Sequence, residues 1–384
     1  MSIGSHQLDI AIIGGGVIGL VCARQLAKEG LRVALFERDE CGSGASKASL
    51  GALWPAPADH PGPLQAMQRA SLWRFEPFAE ALFEESGIDP GFLRCGRLEW
   101  LSSEKALQRA IQQTQQACAE WPSFGAGPVQ QLISPEKALE IEPSLSSQPY
   151  GAVLCNATAR VTPSRLTAAL KQSCLEAGAT IYEHCPVASL QFRNDKVTSI
   201  LTAKRQFHPR SVLVTSGPWT NLLDQTVNRL APVTPVKGQA LRVSGDERFC
   251  QRIIKRGPIY IVPQGEHDAF IGATTEPQEH FDQTVTLSKL TQLIQGAIDI
   301  MPRLDEAVFH EAWAGLRPQG KDKQPFMGKA DCCANLFFAT GHFKIGIGMA
   351  PLVGEVMSQY ILGRNTEWDL SPFKPGRFEP PNAG

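Results

Sequence analysis

Three glycines near the amino terminus have the spacing of a phosphate-binding turn. Gly14, Gly16 and Gly19 form a G-x-G-x-x-G pattern, and Glu37 follows 18 residues after the last of them. In such a turn the first glycine permits a tight bend, the second lets a pyrophosphate approach the backbone, and the third lets helix and strand pack closely. An acidic residue placed like Glu37 accepts hydrogen bonds from ribose hydroxyls and disfavours a 2′-phosphate. The pattern therefore predicts FAD or NAD rather than NADP.

The neighbouring residues predict the elements that this turn needs. Residues 9–13 and 31–36 are short apolar runs typical of buried parallel strands, and residues 17–29 between them have helical spacing. Strands this close in sequence, when a helix joins them, pair in parallel. The alternative is a structural glycine-rich turn with a solvated Glu37, and the strand–turn–helix–strand context argues against it.

Further periodic segments follow along the chain. The patterns predict helices at residues 64–86, 104–120, 164–177, 287–300 and about 351–362, and strands at 180–183, 197–203, 211–215, 239–243, 259–262, 269–272 and 336–339. Ser134 followed by Pro135 indicates another helix start.

The composition excludes several other classes of protein. The 384 residues carry 37 Lys and Arg against 38 Asp and Glu, which argues against nucleic acid or an anionic membrane surface as the main partner. Ten cysteines without a CxxC pair indicate neither a disulfide framework nor a zinc ribbon, and we predict no metal site. The most apolar amino-terminal stretch, residues 10–23, is too short to span a bilayer and is not a signal peptide. We therefore expect a cytoplasmic protein with no membrane span.

More motifs occur in order along nearly the whole chain. They are residues 44–53, 161–163, 187, 215–219, 235–239, 260–263, 271–274, 314–318 and 341–351. With the glycine motif, they resemble the D-amino-acid-oxidase-like family of FAD-dependent oxidoreductases, and within it the glycine oxidases. The α/β pattern is also interrupted by an insert and resumes late, whereas an NAD dehydrogenase would usually continue its nucleotide domain. The resemblance therefore favours FAD over NAD.

The resemblance implies which residues contact FAD. Residues 44–53 would lie along the flavin, Val187 would meet the adenine end, and the turn at 341–348 would bring backbone N–H groups to the flavin pyrimidine. No cysteine lies in the motif by which sarcosine-oxidase relatives attach their flavin, so we expect noncovalent FAD. The implied cofactor contacts are Gly14, Gly16, Val17, Ile18, Gly19, Glu37, Arg38, Ala45, Ser46, Ser49, Leu50, Gly51, Val187, Ser216, Gly217, Trp219, Arg317, His342, Phe343, Lys344, Ile345, Gly346 and Ile347.

The resemblance also implies a site for an amino acid. A planar guanidinium binds a carboxylate bidentately, and Arg317 in Gly-Leu-Arg-Pro is the candidate. Tyr260 matches the family's second carboxylate contact, and Lys344 would keep a positive charge near the ligand or flavin. The plainer alternatives are a surface ion pair for Arg317 and a core aromatic for Tyr260. His342 is expected to pack or to touch the flavin edge rather than to act as a base.

Two departures from the glycine oxidase pattern leave the substrate open. Lys344-Ile345 stands where that family usually has Arg-Asn or a similar pair, and Asp322-Lys323-Gln324-Pro325 stands where relatives have DGxP. Lys344 lacks the fork of an arginine, so its contact with a ligand would differ.

We predict an α/β and α+β fold in which a Rossmann-like FAD-binding domain interleaves with a substrate-binding domain. The first comprises residues 1–58, 150–225 and 306–384; the second comprises 59–149 and 226–305 and is built on a mixed β-sheet with helices. A homo-oligomer is compatible with the sequence.

The implied reaction is oxidative deamination of glycine, a small D-amino acid or a small N-substituted amino acid. A hydride would pass from Cα to flavin N5, and the products would be an imine or oxo acid and hydrogen peroxide. The alternative is a dehydrogenase of the same fold that passes electrons to a quinone or a partner protein instead of molecular oxygen.

Two further classes stay open at this point. One is a protein that binds FAD structurally without catalysis, against which Arg317 and Tyr260 argue. The other is an NAD-dependent disulfide reductase, which needs a redox pair that Cys41 lacks.

Overall fold

The computed structural model describes residues 8–56, 62–120, 128–147, 150–277 and 280–379. In these residues the α-helices are α1 (Val17–Lys28), α2 (Pro63–Ser86), α3 (Glu104–Glu120), α4 (Pro135–Ile141), α5 (Pro163–Glu176), α6 (Thr220–Leu223), α7 (Gln225–Leu230), α8 (Leu287–Ile300) and α9 (Gly346–Ile361). The strands are β1 (Ile10–Ile13), β2 (Val33–Phe36), β3 (Ala52–Leu53), β4 (Arg97–Trp100), β5 (Gln130–Ile133), β6 (Ala152–Cys155), β7 (Ala159–Arg160), β8 (Thr180–Tyr182), β9 (Val187–Arg193), β10 (Lys196–Thr202), β11 (Gln206–Phe207), β12 (Ser211–Val214), β13 (Val233–Ser244), β14 (Ile253–Arg256), β15 (Ile259–Gln264), β16 (Asp268–Gly272), β17 (Glu276–Pro277), β18 (Val308–Gly320), β19 (Phe326–Lys329) and β20 (Leu336–Thr340).

A six-stranded sheet carries the glycine motif. Its order is β19-β20-β12-β1-β2-β8, and all of its strands run parallel except β19. The predicted parallel pairing of β1 with β2 is confirmed, and both strands are buried along their whole length. Helices α1, α5 and α9 pack together beside this sheet in one apolar core, because their small and aliphatic side chains allow close contact.

A nine-stranded mixed sheet is the other large sheet of the structure. Its order is β17-β13-β16-β15-β14-β4-β6-β5, with β18 paired to β13. Strand pairs β13–β18 and β15–β16 are antiparallel, while β4 and β14 are parallel. Apolar side chains on one face pack with α8, among them Leu98, Ile254 and Ile261. The chain therefore has the mixed α/β and α+β architecture that was predicted.

The assignment of segments to two domains stays a proposal, and two strands bear on it. Strands β6 and β18 lie in segments 150–225 and 306–384, which we assigned to the nucleotide domain, yet both pair within the nine-stranded sheet. We propose that both strands belong to the substrate-binding domain, together with the rest of the nine-stranded sheet. Residues 57–61, 148–149 and 380–384, at which several predicted limits fall, lie outside the described residues.

The closing helix begins earlier than the sequence suggested. A start near Pro351 was wrong, because α9 already begins at Gly346 and includes Pro351. A proline has no N–H group, so the carbonyl of Ile347 loses its helical donor. Extensive packing of α9 against α1 and α2 stabilises the helix despite that loss. The glycines at its start thus belong to the helix as well as to the turn.

Two kinds of feature are absent from the described residues. No helix there is long and apolar enough to cross a membrane. In the same part of the chain, no three His, Cys, Asp or Glu side chains are grouped so that they could hold a metal ion.

Candidate active site

The carboxyl ends of four neighbouring strands meet at one edge of the six-stranded sheet. Gly14 follows β1, Glu37 follows β2, Thr215 follows β12 and Gly341 follows β20. Ligands of open α/β sheets bind at this edge. A cavity of about 1250 Å³ opens there and continues along the face of the nine-stranded sheet that is opposite α8.

The three glycines of the motif have different surroundings. A Cβ atom on Gly14, whose φ is +112°, would lie 2.6 Å from the carbonyl oxygen of Thr215. On Gly19 it would lie 1.9 Å from the carbonyl oxygen of Gly14, so the third glycine permits the contact of α1 with the turn. A Cβ on Gly16 would meet only the Ser46 hydroxyl, at 3.5 Å. The second glycine therefore leaves open space in the cavity, as phosphate binding requires.

Two predicted contacts do not line the cavity. Gly19 is one of them, because it lies against the turn beneath the cavity wall. Gly51 is the other: its φ is +82°, and an added Cβ would lie 2.1 Å from the carbonyl oxygen of Val161. Both glycines permit close backbone packing, which the motif indicated for Gly19 and which no local signal indicated for Gly51.

Polar groups around the start of α1 are arranged for an extended ligand. The Ser46 hydroxyl accepts a hydrogen bond from the Val17 N–H at 2.9 Å. The Glu37 carboxylate accepts one bond at each oxygen, from Gly15 N–H at 2.6 Å and from Asp39 N–H at 2.9 Å. A carboxylate oxygen has two lone pairs, so Glu37 keeps acceptor capacity on its cavity side.

An aromatic and cationic stack forms another wall. The Arg38 guanidinium carbon lies 3.7 Å from the centre of the Trp219 ring, and Trp219 stacks on Phe281 with ring centroids 6.1 Å apart. Such stacking orients both side chains. The other predicted cofactor contacts also line the cavity: Ile18, Ala45, Ser49, Leu50, Val187, Ser216, Gly217, Phe343, Ile345, Gly346 and Ile347.

His342 lies buried in the turn between β20 and α9. Its Nε2 has no hydrogen-bond partner among the described residues, and burial lowers its pKa to about 4. The imidazole is therefore neutral near pH 7. A buried polar atom without a partner is unusual, and His342 lines the cavity, so its free nitrogen fits contact with a bound group.

Arg317 projects from β18 toward the cavity and lies over Gly238 of the neighbouring strand. A Cβ atom on Gly238 would come within 2.3 Å of both terminal nitrogens of the guanidinium. Nη1 donates to the carbonyl oxygens of Thr274 at 3.0 Å and Lys237 at 3.5 Å. Burial lowers the pKa of Arg317, whereas Tyr260 and Glu276 act in the opposite direction.

Tyr260 and Lys344 lie on either side of Arg317. Burial raises the pKa of Tyr260, and the charge of Arg317 partly offsets that rise. Lys344 Nζ donates to the Thr275 hydroxyl at 3.1 Å, and its pKa is lowered by burial and by Arg317. Within the described ranges neither Arg317 nor Lys344 bonds a carboxylate. Two cations therefore face the cavity without a protein anion bonded to them.

Sequence reasoning missed several residues that shape this site. The pairing of β13 with β18 brings Gly238 beside Arg317. The pairing of β13 with β17 places Thr275, which precedes β17, within reach of Lys344. Three charged residues on β4 and β14 also line the cavity: Arg97, Glu99 and Lys255. No local motif marks them, because their proximity arises from the order of strands in the sheet.

The cavity has three features that suit a dinucleotide cofactor. It has open space beside Gly16, an acceptor at Glu37, and an unpartnered buried nitrogen at His342. These three features occur along one continuous cavity, which is the arrangement that a long molecule with phosphate, ribose and heterocyclic ends requires.

We expect His342 to make the protein less stable in acid. Its folded pKa lies below the value of about 6.5 in an unfolded chain, so only the unfolded state takes up the proton between those values. The free energy of unfolding should then fall by about 1.4 kcal/mol per pH unit between about pH 6 and pH 4.5 through this group. Urea unfolding of the wild type and of His342→Asn, measured across this pH window, should show that the free energy of unfolding falls less steeply in the variant.

His267→Asn, at an exposed position, is the matched control and should keep the acid dependence of the wild type. The same acid dependence in His342→Asn and the wild type would contradict the assignment of a neutral, buried imidazole.

Comparison with known proteins places this geometry in a family. The profile of the family described as FAD dependent oxidoreductase matches residues 9–360. Glycine oxidase from Geobacillus kaustophilus (strain HTA426) is 33% identical over 373 residues, which cover 96% of this chain and 97% of that protein. Glycine oxidase from Bacillus licheniformis is 30% identical, with 97% and 98% covered.

The solved structures agree with the sequence comparison. The crystal structure of glycine oxidase from Geobacillus kaustophilus superposes with a TM-score of 0.90 at 31% identity, covering 97% of this chain and 99% of that one. That of glycine oxidase from Bacillus cereus ATCC 14579 gives a TM-score of 0.89 at 31% identity, covering 98% of this chain and 100% of that one. The chain belongs to the FAD-dependent oxidoreductase family of D-amino-acid-oxidase type, and its cofactor is FAD.

Proposed function

We propose that this protein oxidises the amine of a small amino acid: glycine, a small D-amino acid or a small N-substituted amino acid. The observation that carries the proposal is the pair of cations, Arg317 and Lys344, which face the cavity without a bonded protein carboxylate among the described residues. A desolvated positive charge is costly unless an anion pairs with it. The carboxylate of an amino acid supplies that anion, and a guanidinium can bind it through two parallel hydrogen bonds.

The proposed course of FAD follows the cavity from α1 to α9. The pyrophosphate would lie beside Gly16 at the start of α1, where free N–H groups and the helix dipole favour negative charge. Glu37 would accept hydrogen bonds from the ribose, and the free Nε2 of His342 would meet the flavin end. We propose that the cofactor is held noncovalently by these contacts.

Bound FAD supplies the redox chemistry, because it accepts a hydride from the substrate Cα and passes the electron pair to an acceptor. The protein's own contribution is orientation and charge. Arg317 and Tyr260 would hold the carboxylate, which restricts the direction of the Cα–H bond. The positive charges of Arg317 and Lys344 disfavour an ammonium group beside them, so the substrate amine loses its proton more readily. The imine product then takes up water and gives an oxo acid and ammonia, or a primary amine in place of ammonia when the substrate nitrogen carries a substituent.

Molecular oxygen is the electron acceptor that we propose, with hydrogen peroxide as the reduced product. The alternative is a dehydrogenase that passes the electrons to a quinone or a partner protein. Either enzyme would use the same contacts to the carboxylate, so kinetics with oxygen must separate them.

We expect the oxidised flavin absorbance to bleach when glycine or a small D-amino acid is added without oxygen. The reason is that the carboxylate contact places the amine carbon for hydride transfer. Stopped-flow absorbance across a panel of amino acids and N-methylated amino acids measures this step, and readmitted oxygen should restore the colour with hydrogen peroxide formed in equal amount. Reduction without reoxidation by oxygen would favour the dehydrogenase. No bleaching with any amine would contradict the proposed function.

Replacement of Arg317 by Leu should lower kcat/KM for glycine by at least about thirtyfold, because a buried, charge-assisted contact is worth about 2–5 kcal/mol. Steady-state rates, normalised to bound FAD, measure the loss. Arg165→Leu removes an exposed arginine that pairs with Asp89, and it is the matched control. Equal kcat/KM values in Arg317→Leu and Arg165→Leu would remove Arg317 from the substrate site.

Replacement of Gly238 by Ala should lower kcat/KM by about 10–100-fold, because a small displacement of a positioning group is enough for such a loss. The added methyl group would come within 2.3 Å of the Arg317 guanidinium, which must then move. The binding of glycolate, measured by perturbation of the flavin spectrum, should weaken in parallel. Wild-type affinity for glycolate in this variant would show that the guanidinium does not contact the carboxylate.

A further inference from the structure

A second group of charges lines the same cavity beyond Tyr260. We call it the distal cluster and define it as Arg97 and Glu99 of β4, Lys255 of β14 and Arg109 of α3. These side chains lie on the wall formed by the nine-stranded sheet and α3, and the contacts proposed above for FAD and for the amino acid do not use them.

Strand register connects the distal cluster directly to the proposed substrate site. Tyr260 pairs with Lys255 across β15 and β14, and Lys255 pairs with Glu99 across β14 and β4. Paired residues of adjacent strands point to the same face of a sheet and lie about 5 Å apart. The three side chains therefore form a row on the cavity face, with Lys255 one strand and Glu99 two strands away from the tyrosine.

The distal cluster has an excess of positive charge. Lys255 Nζ pairs with Glu99 Oε1, and Arg97 Nη2 lies 3.3 Å from Glu99 Oε2. Burial alone would raise the pKa of Glu99, but Arg97, Lys255 and Arg109 lower it, so the carboxylate is ionised. Two cations, Arg97 and Lys255, thus share the one carboxylate of Glu99. Arg97 Nε is in addition a buried donor that has no acceptor among the described residues.

An aromatic wall separates the two charged regions. The Arg97 guanidinium lies 5.3 Å from the centre of the Trp54 ring, and the Trp54 and Tyr260 rings meet edge to face at 5.4 Å. Trp54 itself lines the cavity. A short methylene linker can pack against such a ring while polar groups at its two ends reach Arg317 and the distal cluster.

We propose that the distal cluster binds a second acidic group of the substrate, so that the preferred substrates are small amino acids with two carboxylates. This inference rests on the proposed function, and it names the substrate class more narrowly. The second carboxylate would stand either on the side chain at Cα or on a substituent of the amine nitrogen. In both cases it would complete the charge balance around Lys255 and Arg97, which Glu99 alone leaves positive.

A purely structural ion-pair network is the simplest competing explanation. Structural pairs at a protein surface usually match opposite charges and contribute little to binding. The distal cluster differs because it is unbalanced, faces the cavity, and includes an unpartnered donor at Arg97. These features suit a binding site for an anion.

The test compares each diacid with its own neutral amide. The pairs are D-aspartate with D-asparagine, D-glutamate with D-glutamine, and N-(carboxymethyl)glycine with N-(carbamoylmethyl)glycine. The first two pairs place the second acid at Cα, and the third places it on nitrogen. In at least one pair kcat/KM should be about tenfold or more higher for the acid than for the amide, since each pair has nearly the same shape.

Two substitutions should move the acid-to-amide ratio in opposite directions. Lys255→Met should lower the ratio at least about tenfold, whereas Glu99→Gln should raise it several-fold by releasing both cations from their competing carboxylate. A rise cannot result from misfolding, so Glu99→Gln keeps the test decisive if Lys255→Met loses its FAD. Lys137→Met, which removes an exposed lysine paired with Glu140, is the matched control and should keep the wild-type ratio.

The results separate this inference from the proposed function. If glycine or neutral amino acids reduce the flavin but no diacid exceeds its amide, the second acid site is wrong and the proposed function stands. If Lys255→Met and Glu99→Gln change the rates of acids and amides equally, the distal cluster is structural. If no amine reduces the flavin at all, both proposals fail.

Discussion

The site depends on one junction between the two sheets. At the end of β18 the Pro318 carbonyl oxygen accepts a hydrogen bond from the Phe343 N–H at 2.7 Å, and Gln319 forms an isolated bridge with His342. Strand β18 belongs to the nine-stranded sheet, whereas the turn at 341–345 connects β20 of the six-stranded sheet to α9. This short contact holds Arg317 on one sheet at a defined distance from the turn that carries Lys344. Together with other contacts between the two sides, such as the hydrogen bond from Trp313 Nε1 to the Ala48 carbonyl oxygen at 3.0 Å, it fixes the proposed substrate site relative to the cofactor site.

Charge is distributed very unevenly in this molecule. The whole chain has a net charge of −1, yet the cavity contains Arg317, Lys344 and the positive excess of the distal cluster. Concentrated positive charge in a low-dielectric cleft raises the local concentration of anionic ligands and orients them. Placing these charges close together in a low-dielectric cleft is costly, and a bound anion offsets that cost. The proposed amino acid substrate, whose carboxylate would face these cations, fits this distribution of charge.

Much of the cofactor side could be predicted because its signals are local. The first strand, its helix and the second strand follow from apolar runs and glycines within 40 residues, and the structure confirms their parallel pairing. The motif indicated that Gly19 permits close packing, and the structure agrees, but no local signal showed that Gly51 also packs against backbone instead of lining the cavity. The start of α9 was misplaced because proline is ordinarily found in the first turn of a helix, whereas Pro351 lies inside α9, where packing against α1 and α2 outweighs its lost hydrogen bond.

The amino-acid sequence by itself determined the class of fold, the dinucleotide turn and the presence of Arg317 and Tyr260 in recognisable segments. Only the tertiary structure decided what surrounds those residues. Gly238 makes room for the guanidinium through the register of β13 and β18, and Lys255 and Glu99 reach Tyr260 through the order of β15, β14 and β4. Short periodic patterns are encoded in neighbouring residues, whereas strand order depends on contacts between segments more than a hundred residues apart, such as Glu99 and Lys255. That is the physical reason why the proposed cofactor site could be predicted from the sequence and the charged wall of the cavity formed by β4 and β14 could not.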